Sequence, residues 1–287
     1  MGAARNANGL SRACGAARAP ETNHARATFR VYEELNDFLP PHRRKVAFAH
    51  EWPGAAAVKD LIEALGVPHP EVDLILVNGE SVDFAYRPRD GDRISVYPLF
   101  ESLDISPVQR LRPRPLREPR CVLDGHLGRL AAYLRLLGFD TLCDNAFDDE
   151  TLARFTQQQK RALLTRDRGL LKQKAVTRGY WVRSSVPREQ LREVVERFDL
   201  RRTVAPFTRC LVCNALLRPA SIEEVEEHLL PRTARYYREF WRCTQCARVY
   251  WKGSHYQRME TLVREVLDGV AGDESKQTLS TPVNMKA

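Results

Sequence analysis

Residues 121–144 read Cys121-Val-Leu-Asp124-Gly-His-Leu-Gly-Arg129-Leu-Ala-Ala-Tyr-Leu-Arg135-Leu-Leu-Gly138-Phe-Asp140-Thr-Leu-Cys143-Asp144. An apolar run ends in aspartate, and Leu127, Leu130, Ala131, Leu134 and Leu137 then mark one face of a helix, with Arg129 and Arg135 off that face. Gly138 stops the helix, and a second apolar run ends at Asp144. The unit recurs downstream. A helix starts near Asp148-Asp149-Glu150 with Leu152 and Phe155 inward, and Arg161-Ala-Leu-Leu-Thr165 stops at Arg166-Asp167 before a short helix with Leu170 and Leu171. Gly179-Tyr-Trp-Val-Arg183 reads as a fourth strand, and Pro187 opens a helix with Leu191, Val194, Val195 and Phe198 on its buried side. Strands separated by helices imply right-handed crossovers and a mostly parallel sheet, whose ligands sit outside the carboxyl ends of the strands.

Asp124, Asp144 and Asp167 all fall at such ends. Carboxylates gathered within a few ångströms repel one another, so unless some are protonated the arrangement needs a cation. Oxygen donors without a nearby His or Cys pattern favour Mg²⁺ or Mn²⁺ over zinc. Such ions, in pairs roughly 3.5 to 4 Å apart, activate water and neutralise the leaving oxygen in phosphodiester cleavage. The same residues also have a structural reading: Asp148 or Asp149, and Asp167, precede helices and suit N-caps. Asp124 favours the metal role because it follows a buried strand and precedes Gly125, which lets the backbone turn closely. Asp144 reads equally as the start of a loop with Asn145, and His126 as a helix-start residue.

Further along, Cys210-Leu-Val-Cys213 and Cys243-Thr-Gln-Cys246 are separated by 29 residues. Two such knuckles supply four thiolates to a tetrahedral, closed zinc shell with no open position for water, which is a structural site. Ser221-Ile-Glu-Glu224 reads as a capping box, and Ile222, Val225 and Leu229 as one apolar helix face filling the gap. Aromatic residues (Tyr236, Tyr237, Phe240, Trp241, Tyr250, Trp251, Tyr256) alternate there with Arg235, Arg238, Arg242, Arg248, Lys252 and Arg258. This is either an RNA-gripping surface or core packing, with Phe240 and Trp241 assigned to the core. Tyr250 to Tyr256 reads as a strand followed by a loop. Cys121 and Cys143 read as buried packing residues, and Cys14 lies in the N-terminal tail.

The chain has 287 residues, enough for two or three domains, with 43% apolar and 29% charged residues, which excludes wholesale disorder and a disulfide-dense miniprotein. Its seven cysteines suit metal binding in a reducing cytoplasm better than a disulfide framework. No stretch approaches the roughly 20 apolar residues of a bilayer helix, so no membrane partner is expected. Net charge is +8, but residues 26–104 hold nine Lys and Arg against fourteen Asp and Glu. An acidic N-terminal module is thus joined, through the Pro- and Arg-rich segment 105–120, to a basic C-terminal half suited to a polyanion. The first 25 residues lack a secretory apolar stretch and read as a disordered tail, although an Arg-rich, acid-poor start also fits an organellar transit peptide.

The acidic module reads as strands at Thr28–Tyr32 and Lys45–Ala49, a helix over Ala57–Leu65 ended by Gly66, then Val72–Val77, an Asn78-Gly79 hairpin, an Asp90-Gly91-Asp92 turn and a last strand Arg93–Tyr97. Leu65-Gly-Val-Pro68, Val77-Asn-Gly79 and Asp90-Gly-Asp-Arg-Ile94 resemble the ubiquitin-like β-grasp modules of the sulfur-carrier type. Those carriers activate a free C-terminal Gly-Gly. This segment instead runs on through Tyr97-Pro-Leu-Phe-Glu101, so a docking or substrate-presenting module with a protein partner is expected.

Asp124-Gly-His-Leu-Gly-Arg-Leu130, Leu136-Leu-Gly-Phe-Asp140, Asp148-Asp-Glu150 and Leu164-Thr-Arg-Asp-Arg-Gly-Leu-Leu171 resemble the PIN-like ribonuclease family called after the C-terminal domain of the mut-seven exonucleases. The likeness extends through Glu189-Gln-Leu-Arg-Glu193 and the cysteines to His255-Tyr256, and bacterial members often carry a β-grasp extension in front. It implies an α/β, PIN-like three-layer domain with a mostly parallel sheet, a divalent metal held by Asp124, Asp167 and one of Asp148 and Asp149, and ribonuclease activity. The expected organisation is a tail (1–25), β-grasp module (26–104), linker (105–120), PIN-like ribonuclease domain (121–200), zinc ribbon (201–260) and C-terminal tail (261–287). Arg129, Arg166 and Arg168 are the candidates to bind RNA phosphate. The rival expectation is a non-catalytic RNA-binding or adaptor protein that keeps the PIN-like fold.

Overall fold

The computed structural model describes residues 24–98, 110–111 and 120–268. The expected N-terminal tail with Cys14, most of the linker and most of the C-terminal tail lie outside the described residues. In the N-terminal module, β1 (His24–Val31) pairs antiparallel with β2 (Ala47–Pro53). Helix α1 (Val58–Ala64) then leads to β3 (Val72–Val77), β4 (Glu80–Val82) and β5 (Arg93–Pro98). The sheet order is β2-β1-β5-β3-β4, with β1 parallel to β5, the ubiquitin-like β-grasp arrangement. Alternation along β1 turns Ala27, Phe29 and Val31 onto the core, where Val58, Leu61 and Ile62 of α1 meet them. Asn78 and Gly79 both have positive φ, 53° and 93°, as the type I′ hairpin turn requires. Strand β2 begins two residues later than its sequence suggests because Lys45, with φ 58°, belongs to the preceding turn.

The central domain alternates as anticipated: β6 (Cys121–Leu123), α2 (Gly128–Leu136), β7 (Thr141–Cys143), α3 (Asp149–Gln158), β8 (Ala162–Thr165), α4 (Arg168–Leu171), β9 (Gly179–Trp181) and α5 (Pro187–Arg197). All four strands are parallel, in the order β7-β6-β8-β9. Leu130 and Leu134 of α2 cover one face with Leu191, Val194 and Val195 of α5, and Leu152, Leu170 and Leu171 of α3 and α4 cover the other. Covered on both sides, Cys121 to Leu123 and Ala162 to Thr165 are buried at every position. One local expectation is corrected. Residues Gly125–Leu127 form a 3₁₀ turn rather than the first turn of α2. Arg135, although off the apolar face as read, is buried, donating through Nε to the Thr141 carbonyl (2.9 Å) and through Nη1 to those of Leu211 and Val212 (3.0 and 2.8 Å).

Beyond α5 lie β10 (Leu217–Ala220), α6 (Ile222–Val225), α7 (Pro231–Tyr236), β11 (Phe240–Cys243) and β12 (Val249–Trp251), with the three strands antiparallel in the order β10-β11-β12. The expected capping box forms only in part. Ser221 makes no side-chain cap bond, while the Glu224 carboxylate meets the Ser221 backbone amide and also pairs with Arg218 at 2.5 Å, and α6 lasts four residues. Phe240 enters the core as expected, whereas Trp241 is half-buried under the Lys252 ammonium. A helix, α8 (Ser254–Asp268), replaces the loop anticipated after Trp251, and its Leu262 and Val263 are buried in the core of the central domain. Among the described residues no helix is long and apolar enough to cross a membrane.

The β-grasp module packs on β9 and on the chain after α4. Arg183, just past β9, donates to Asp37 (2.8 Å) and Glu71 (3.4 Å), while His69 contacts Glu63 (2.5 Å) and the Val176 carbonyl (2.8 Å). Glu71 is 1% exposed. Burial pushes its carboxyl from 4.5 up to about 7, against the opposing pull of Arg183 and the Trp181 amide. An acid with a raised folded-state pKa contributes stability that is full below its unfolded pKa and is lost as pH rises through the folded one. Stability should therefore fall between pH 4.5 and about 7 by up to about 3 kcal/mol. Thermal melts across this window should show that decline in the native chain and a flatter profile in Glu71→Gln.

Candidate active site and cysteine cluster

The first crossover runs from β6 to β7 on one side, and the chain then returns to place β8 on the other side of β6. The order therefore reverses between β6 and β8, and at such a point the connections diverge and leave a crevice at the carboxyl ends. Asp124 follows β6 and Asp167 stands two residues beyond β8, so the two carboxylates flank this crevice. One side chain ties them together. The fully buried Thr165 hydroxyl donates to Asp124 Oδ2 at 3.1 Å and accepts the Asp167 amide at 2.9 Å. Gly125 permits the close turn expected of it: a Cβ there would lie 2.7 Å from Asn145 Oδ1 and 3.1 Å from Asn145 Cα, in the loop after β7.

The cap readings are also realised. Asp148 accepts the Thr151 amide at 2.8 Å as N-cap of α3, and hydrogen bonding by Thr151 holds its carboxyl below the usual range. Asp167 caps α4 through Gly169 N (2.6 Å) and Leu170 N (3.3 Å), and Asp144 accepts the Ala146 amide at 2.9 Å. Asp149 accepts from Gln173 Nε2 at 3.4 Å, on the segment that follows α4. Caps orient these groups toward their own helices, and no three of the carboxylates meet at a common ligation distance among the described residues. Asp124 and Asp167 nevertheless offer oxygen donors across one crevice, which fits a hard divalent ion in donor chemistry.

The three candidate phosphate-binding arginines differ. Arg129 is exposed on the first turn of α2. Arg166 donates to the carbonyls of Val182 (3.4 Å), Arg183 (2.8 Å) and Ser184, and Arg168 lies over the Trp181 ring at 3.8 Å from its centroid. His126 is exposed, with its backbone amide on Asp124 Oδ1 (3.2 Å), in keeping with a helix-start residue.

Cys210, Cys213, Cys243 and Cys246 converge so that their sulfur atoms all lie within 4.8 Å of one another, the one such group of three or more ligands among the described residues. Cys210 and Cys246 are 3.6 Å apart and Cys213 and Cys243 3.3 Å, close to the roughly 3.8 Å edge of a tetrahedron with 2.3 Å zinc–sulfur bonds. All four are free thiols. Burial opposes ionisation of Cys210, but the amides of Cys213 and Val212 and the Tyr250 hydroxyl outweigh it and bring the thiol down to about 7. Burial and neighbouring thiols push Cys213 up to about 12. Such a cluster suits a cation that favours thiolates, and it is consistent with structural zinc.

Sequence reasoning missed the partners of both sites. Thr165 has no signal beyond its place two residues before Asp167, and neither the RNA-surface nor the core-packing reading of Tyr250 accounts for its hydroxyl, 3.0 Å from Cys210 Sγ. Asn214, directly after the first knuckle, accepts the Thr141 amide (2.9 Å) and donates to Asp140 (2.7 Å), fastening the knuckle to the central sheet. Only the adjacency of Asn214 to Cys213 could have drawn attention to it.

The sequence model of the family described as Mut7-C RNAse domain matches residues 119–263, and that of Mut7-C ubiquitin matches residues 24–104. No curated protein matches the chain. Among solved structures, the crystal structure of H. volcanii small archaeal modifier protein 1 is similar at 19% identity, covering 26% of this chain and 99% of that one with a TM-score of 0.22.

Zinc binding to folded thiolate sites is worth about 10–16 kcal/mol at pH 7, comparable to the whole stability of a domain. Chelation, or Cys210→Ser, should therefore unfold the β10-β11-β12 sheet rather than loosen it. Circular dichroism and calorimetry will register this as lost structure and a lowered Tm. Unchanged melting of a chain shown by metal analysis to be zinc-free would refute a structural role.

Proposed function

Because the chain belongs to the Mut7-C RNase domain family, we propose that it hydrolyses RNA phosphodiester bonds at the crevice between β6 and β8. The observation that carries this reading is the bridge from the Asp124 carboxylate through the Thr165 hydroxyl to the Asp167 amide, which ties the Asp124 side chain to the backbone of Asp167 at adjacent strand ends. Asp124, Asp167 and Asp149 are the residues we assign to a Mg²⁺ or Mn²⁺ ion. When bound, such an ion supplies charge neutralisation at the scissile phosphate and lowers the pKa of water. Asp149 is preferred to Asp148 because the Asp148 carboxylate already serves the α3 N-terminus, whereas Asp149 reaches toward the segment behind Asp167.

The chain's own residues contribute position and charge. Asp124 is half-buried and held on both oxygens, by Thr165 and by the His126 amide, so its orientation is set before substrate arrives. Arg129, exposed on α2 close behind Asp124, is the arginine best placed to meet a phosphate oxygen. Arg166 and Arg168 are committed to backbone carbonyls and to Trp181, so in this reading they shape the rim. The basic residues around β11 and β12 hold the remainder of the RNA, and the cysteine cluster keeps that surface folded when it carries zinc.

Manganese-dependent cleavage of a generic single-stranded RNA is the expected activity. Asp124→Asn should reduce it by about 100-fold or more while leaving RNA binding intact, and Asp149→Asn should do the same with Asp148→Asn far milder. Gel-based cleavage and fluorescence-anisotropy binding on the same preparations check this. Equal cleavage by Asp124→Asn would point to a contaminant, and RNA binding without cleavage by the native chain would favour a non-catalytic adaptor.

A further inference from the structure

Trp181 closes β9, and its ring packs against the core of the β-grasp module and the core of the central domain alike. Its indole Nε1 donates to the carbonyl of Arg166 at 3.2 Å, and its ring face carries the Arg168 guanidinium at 3.8 Å. The residues on either side of Asp167 are thus held by one side chain. Trp181 is itself fixed from the N-terminal module: its backbone amide donates to Glu71 Oε1 at 2.5 Å, and its ring lies 5.3 Å from that of Phe38. Phe38 also stands under Arg168, at 5.2 Å. A further clamp follows the turn, where Lys172 Nζ donates to the Glu63 carbonyl at 3.0 Å.

The segment so bracketed is anchored in the central core through Leu170 and Leu171, but its exposed end, Arg166 to Arg168, has little means of holding itself. Helix α4 has four residues, a single turn, and isolated turns of that length are unstable. Asp167 is exposed, and although its backbone amide is held by Thr165, its carboxylate accepts only from the Gly169 and Leu170 amides of its own turn. Fixation therefore has to come from outside the turn, and a carboxylate aligned by supporting contacts binds metal better than a loose one. We infer that Trp181 is a positioning residue for Asp167, and that the β-grasp module acts in cis on the active-site mouth by presenting Glu71 and Phe38 to it. This rests on the assignment of Asp167 to the nuclease site.

The test uses the full chain with Trp181→Phe, which removes the indole donor and keeps a ring, and Phe38→Leu, which leaves the indole in place and approaches the contact from the other module. Hydrogen–deuterium exchange at the Gly169 and Leu170 amides is read against the amides of β6 and β8, and the Mn²⁺ concentration for half-maximal RNA cleavage is measured beside it. Both variants should exchange faster at Gly169 and Leu170 with the strand amides unchanged, and the Mn²⁺ midpoint should rise about 10-fold. Unchanged exchange at these two amides in both variants, with native cleavage intact, overturns the positioning role and leaves the nuclease reading standing. Faster local exchange in variants of a chain whose native form cuts no RNA supports the mechanical link and removes the nuclease reading instead.

Discussion

Strand β6 is hydrogen-bonded on both edges, to β7 and β8, and covered by helices on both faces, so its end is tightly constrained. A three-residue strand has no slack. Its register with β8, set by Val122 opposite Leu163, decides where Asp124 stands relative to Thr165 and Asp167. A slip of one residue would turn Asp124 away from the Thr165 hydroxyl and bring a polar residue against the packed leucines, so core and site are specified by the same pairing. The β-grasp module and the cysteine-bearing sheet are attached to this frame at opposite ends.

Those attachments are polar and at least partly shielded from water. On one side Arg183 gathers Asp37 and Glu71. On the other, Arg135 reaches the carbonyls of Leu211 and Val212, and Asn214 joins Asp140, which pairs with the buried Arg161 at 2.8 Å. Removing one member of such a set strands its partners away from water, a penalty that exceeds the net worth of the bond itself. The geometry between modules is accordingly sharply defined, since few alternative placements satisfy every donor.

Local periodicity made the strands and helices of the β-grasp module and central domain, the hairpin at Asn78-Gly79 and the two Cys-x-x-Cys knuckles legible, because each is written within a dozen residues, whereas β10 and the long helix α8 were not read. What escaped depended on distant partners. Arg135 looks like a solvated helix residue until Leu211 and Val212 supply its acceptors, and Trp181 looks like an edge aromatic until Glu71 and Phe38 are beside it. Ser221-Ile-Glu-Glu224 carries a valid local signal that is realised only in its Glu224 half, which Arg218 on the neighbouring strand shares. The aspartates were found as strand-end residues, yet their double use as helix caps was equally written in the sequence, and the structure realises both features at once.

Helix α8 comes last among the described elements, yet Leu262 and Val263 join the same hydrophobic cluster as the buried faces of α2 and α5. Contacts of such sequence separation cannot form until the ribosome has released nearly the whole nuclease-family region, and long-range closure of this kind is slow compared with local helix formation. A nascent chain halted before residue 262 would expose an unsealed apolar layer. The last described helix is thus a lid on the central core rather than an appendage to the cysteine-bearing sheet.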